Sequence, residues 1–152
     1  MPEAALREKI RAWIARRQHW LIACDARERP WLDALFAAVN AGWRPGTPRV
    51  PVEVLDLELH EVDPERGEER GLGVLFLVVI PRAALSAETV QATILAHHDV
   101  EVPVETLLEA QFVSPMAASQ LWSMGARLKA FTAWLDGAAV DEEEDDDDAS
   151  SR

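Results

Sequence analysis

Asp56, Glu58 and His60 have the clearest capacity for chemistry in this chain. A period of two puts two carboxylates and one imidazole on the same side of a strand. Two oxygen donors and one nitrogen can serve as a ligand set for a divalent metal. In the simplest register of the hairpin that follows, Asp63 faces Glu68, Glu58 faces Gly73 and His60 faces Gly71, so small residues would leave room beside the polar groups. Solvation alone also demands this alternation on an exposed strand face. The expectation is therefore no metal and no other cofactor. A metal-dependent enzyme using the Asp56/Glu58/His60 face is kept as an alternative.

His97-His98-Asp99 is a second polar group, placed where a helix should end. Imidazoles gain there from the helix dipole, and Asp suits the turn. A general base would need a nucleophile and an orienting partner, and nothing in the sequence pairs them. Gly71-Leu72-Gly73 resembles part of a phosphate loop, but it opens a strand and lacks the third glycine. No GxSxG, HExxH or P-loop motif occurs, and no catalytic residue is expected. Cys24 is the single cysteine, which excludes an intramolecular disulfide and a CxxC metal site.

The elements that would position these residues belong to one α+β domain over residues 1–137, followed by a disordered acidic tail over 138–152. At 152 residues, 49% apolar and 28% charged, the chain is an ordinary size and composition for one folded domain. The spacing of Leu6, Ile10, Trp13, Ile14, Leu21 and Cys24 predicts a first helix from Glu3 to Cys24. Arg17 falls within its apolar arc, with Arg7, Arg11 and Arg16 around it. There it would snorkel past the core edge or pair with an acid. Pro30 opens a second helix carrying Leu32, Leu35, Phe36 and Val39 and ending at Gly42, so the two helices would form an N-terminal helical hairpin.

Leu55, Leu57 and Leu59 alternate with polar residues in a half-exposed strand from Val52 to Val62, while Leu72 to Ile80 is apolar on both faces and reads as a central strand. Ser86 caps a third helix, through about His98. Val100, Val102 and Val104 predict a short edge strand, which would complete a three-stranded sheet through a parallel crossover helix. Ser114-Pro115 opens a long C-terminal helix with the seam Ala117, Leu121, Met124, Leu128, Phe131 and Leu135. The order of helix, strands, helix, strand and helix in a small acidic chain resembles that of bacterial secretion chaperones. No motif carries the likeness, and the N-terminal helix pair departs from it.

The net charge is −12, of which residues 141–148 (DEEEDDDD) contribute eight negative charges; residues 1–140 carry a net of −5. Direct binding of nucleic acid or of an anionic membrane is not expected, because both partners are polyanions. The first residues lack the apolar core of a signal peptide, and the longest apolar run is too short to span a bilayer, so the expected location is the cytoplasm.

Between Ser114 and Leu135 only Arg127 and Lys129 are charged. Opposite the seam lie Ser119, Trp122, Ala126, Ala130 and Ala133, where a helix wetted on one side would show charge. Such a helix wants burial on more than one side. The function expected is a non-enzymatic protein-binding module: an adaptor, an assembly subunit or a small acidic chaperone. Its partner-binding residues would be Trp122, Ala126, Ala130, Ala133 and Arg17, and its partner another protein or a second copy of the chain. The other alternative is an acidic inhibitor or immunity protein, or a nucleic-acid mimic, that blocks a basic site.

Overall fold

In the computed structural model, residues 3–24, 28–62, 65–114 and 121–136 are described, residues 61, 62 and 121–126 by their backbone alone. The elements run α1 (Glu3–Arg16), β1 (His19–Cys24), α2 (Arg29–Ala41), β2 (Glu53–Val62), β3 (Glu69–Pro81), α3 (Ala87–His98), α4 (Val104–Glu109) and α5 (Leu121–Leu135). This is an α+β fold around a three-stranded sheet in the order β1-β3-β2, antiparallel throughout. Among the described residues, no helix is long and apolar enough to cross a membrane.

The sheet is the middle of three layers. On one face Trp20, Ile22, Cys24, Val78 and Ile80 pack against Trp31 and Leu35 of α2, Val90 and Ile94 of α3 and Leu107 of α4. On the other face Leu21, Ala23, Leu57, Leu75 and Val79 pack against Ile10 and Trp13 of α1 and Phe131 and Leu135 of α5. β3 is central in the strand order, as the apolar run from Leu72 to Ile80 predicts, and from Leu75 to Ile80 it is buried or half-buried on both faces, whereas Val74 is exposed. Ser86 caps α3 by accepting the Thr89 backbone N–H at 3.1 Å.

Several expectations are corrected. The first helix stops at Arg16, and His19–Cys24 is a strand. Every residue from Trp20 to Cys24 is buried, and pairing with β3 (His19 opposite Pro81, Cys24 opposite Phe76) satisfies that run on two faces, which a surface helix could not do. The N-terminal helical hairpin is therefore absent: α1 and α2 lie on opposite sides of the sheet.

Residues 100–104 form no strand; after Pro103 the chain turns into α4. The third strand is β1 instead, so among the described residues no parallel crossover joins the sheet. A parallel bridge, Ile22 with Val113, covers the outer edge of β1. Gly42 ends α2 with φ −90°, in the right-handed region and not as a left-handed cap. Arg17, expected within the apolar arc, follows α1 in the left-handed region (φ 55°) and is exposed. The start of the last helix before Leu121 and the acidic tail fall outside the described residues.

Candidate functional site: a cleft between α1, α5 and the edge of β2

Among the described residues, β2 pairs only with β3, so its other edge has no strand neighbour. Beside it lies an open cleft of about 460 Å³ lined by Glu3 and Leu6 of α1, Ala130 and Trp134 of α5, and residues 56–60 of β2. Leu57 and Leu59 supply a buried apolar floor.

The α5 wall is held in place by α1. Arg7 Nε donates to the Trp134 carbonyl at 2.8 Å, and its guanidinium lies 4.8 Å from the Trp134 ring centroid. Arg11 donates to the Leu135 carbonyl. The last carbonyls of a helix lack intrahelical partners and carry the negative end of its dipole, so two guanidiniums satisfy both needs. Trp134 also stacks on Phe131 (centroids 6.1 Å apart), which meets Phe112 edge-on at 5.1 Å. The indole is thus a fixed wall of the cleft.

Of the expected partner-binding residues, Ala130 lines the cleft, half-buried, and Ala133 is exposed one turn on. Trp122 and Ala126 lie on α5, or at its start, at positions whose side chains are outside the described set. Arg17 lies elsewhere, against α4. Trp134 was not singled out from sequence, although it continues the same helical stripe four residues beyond Ala130.

Asp56, Glu58 and His60 are exposed on the face of β2 opposite the buried leucines. Successive positions on one strand face are about 7 Å apart, and among the described residues no group of three His, Cys, Asp or Glu side chains is gathered to hold a metal. The hairpin register also differs from the simplest one. His60 faces Gly71 as expected, but a bulge places Gly73 opposite Leu59 and Val74 opposite Glu58.

His98 has a partner that the sequence did not reveal. Its Nε2 lies 2.5 Å from Glu28 Oε1, both side chains are almost fully buried, and Trp31 meets the imidazole edge-on at 5.5 Å. An imidazole oriented by a carboxylate can act as a base, but this one is sealed from solvent. Its role here is to tie the end of α3 to the start of α2.

No known protein family, curated protein or solved structure matches this chain.

Proposed function

We propose that the chain is a non-enzymatic protein-binding module, an adaptor, assembly subunit or small acidic chaperone, that receives an extended segment of a partner along the outer edge of β2. The observation that supports this reading is the position of the cleft. It puts an apolar wall from Leu6, Ala130 and Trp134 beside a strand edge without a neighbour among the described residues. A strand edge offers backbone donors and acceptors to an incoming strand, and pockets for alternate side chains supply specificity. Glu3, Asp56 and Glu58 border the groove, the last two with side chains on the face of β2 away from the leucines, so the charge beside the strand edge is negative. The fitting occupant alternates apolar with basic residues. The same carboxylates discourage two copies of the chain from joining edge to edge.

A nine-residue peptide alternating leucine with lysine tests the proposal. Binding should slow amide hydrogen exchange along β2, and Ala130→Trp, which fills the cleft, should abolish that protection. The version with glutamate for lysine should not bind. Unchanged β2 exchange at about 1 mM peptide, the weak end of specific recognition, would rule the reading out.

A further inference from the structure

We propose that Arg17 and Arg82 form a binding site for one carboxylate group, supplied by an acidic protein segment. Arg17 follows α1, and Arg82 follows β3; the Arg82 backbone N–H bonds the Gln18 carbonyl at 2.9 Å, which fixes the two segments side by side. Arg17 Nη2 and Arg82 Nη1 then donate to the same acceptor, the Leu108 carbonyl of α4, at 2.8 and 3.2 Å. The Arg82 guanidinium lies 4.5 Å from the Trp20 ring centroid, so Trp20 forms a platform beneath it.

Two cations converge on one neutral oxygen, and among the described residues neither has an ion pair. Lys9, Arg11, Arg29 and Arg66, by contrast, each hold a carboxylate in this acidic chain. Among the described residues, Arg82 Nε is buried and has no hydrogen-bond partner. Burial, with the Arg17 charge beside it, holds the Arg82 guanidinium below its ordinary pKa. Arg17 occupies a left-handed conformation that an L-residue adopts only at a cost, which holds its side chain on the α4 side. A bound oxyanion would relieve the repulsion and accept the spare Nη–H donors of both guanidiniums.

Guanidinium forks suit carboxylate and phosphate alike; the chain itself carries eight carboxylates in the run at 141–148, tethered to the domain and so at high local concentration, which favours the carboxylate. The carboxylate could come from the acidic run at 141–148 or from a partner's Asp or Glu. The site shares no residue with the cleft beside β2, so it stands or falls separately.

The test is a nuclear magnetic resonance titration of the full chain with hexaglutamate, repeated on a full chain with residues 141–148 changed to Asn and Gln. The Arg82 Nε and Trp20 Nε1 signals should shift. Arg17→Gln, an exposed position that leaves the Trp20 platform intact, should weaken binding about tenfold or more, and Arg29→Gln should not. Binding to the neutralised chain alone would identify the chain's own acidic run as the occupant; equal binding to both would identify a separate segment. The site is refuted if neither chain responds, if Arg17→Gln binds like the parent, or if inorganic phosphate binds more tightly than hexaglutamate.

Discussion

The Arg127 guanidinium lies directly over Gly73. A Cβ at that glycine would meet Arg127 Nη2 at 3.2 Å and Nε at 3.3 Å. Arg127 is not free to move aside, because its Nε donates to the adjacent Leu72 carbonyl at 2.9 Å. Gly73 has φ +101° beside the bulge of the hairpin. An arginine of α5 therefore clamps the place where β3 carries its extra residue. Gly73→Ala should cost about 1–3 kcal/mol, from backbone strain and crowding together. Urea denaturation should show a lower midpoint with an unchanged slope.

Glu28 and His98 should be energetically coupled. Removing one member leaves the other buried without its partner, so Glu28→Ala or His98→Ala should each cost about 3 kcal/mol. The double variant should lose clearly less than the two single losses combined. Simple additivity in denaturation experiments would show that the pair contributes nothing.

Arg7 should matter to the cleft although it does not line it. Arg7→Ala loses both the bond to the Trp134 carbonyl and the stacking on the indole, about 1–2 kcal/mol in total. Arg7→Lys keeps the charge but not the fixed fork, and should recover only part of the loss. Faster hydrogen exchange in α5 of the Ala variant would locate the effect.

The Ser86 cap should be worth about 1 kcal/mol, because Ser86→Ala strands the Thr89 N–H at the first turn of α3. Ser86→Gly should be milder at this position, by a few tenths of a kcal/mol only. Thermal denaturation of the two variants side by side checks the order.

The parts legible from sequence are those set by local physics. Alternation along β2, the two-faced apolar run of β3, the Ser86 cap of α3 and the Phe131 and Leu135 seam of α5 each state their own periodicity or cap within a few residues. Ala130 lines the cleft, but the cleft itself, formed by α1, α5 and β2 together, was not legible. The run from His19 to Cys24 was not legible. Leu21 and Cys24 fit a helical spacing with Leu6, Ile10 and Trp13, and nothing local breaks the tie.

Tertiary structure decided the rest. Pairing with β3 turned His19–Cys24 into a strand, separating α1 from α2 across the sheet. Glu28 meets His98 across 70 residues, and Arg82 lies 26 residues before the carbonyl it shares with Arg17. Contacts of that range carry no periodic signature, because their energy depends on which surfaces meet after each element has formed. Local sequence determined the preference of β2, β3 and α3, while only the assembled layers made His19–Cys24 a strand and determined which side chains face one another.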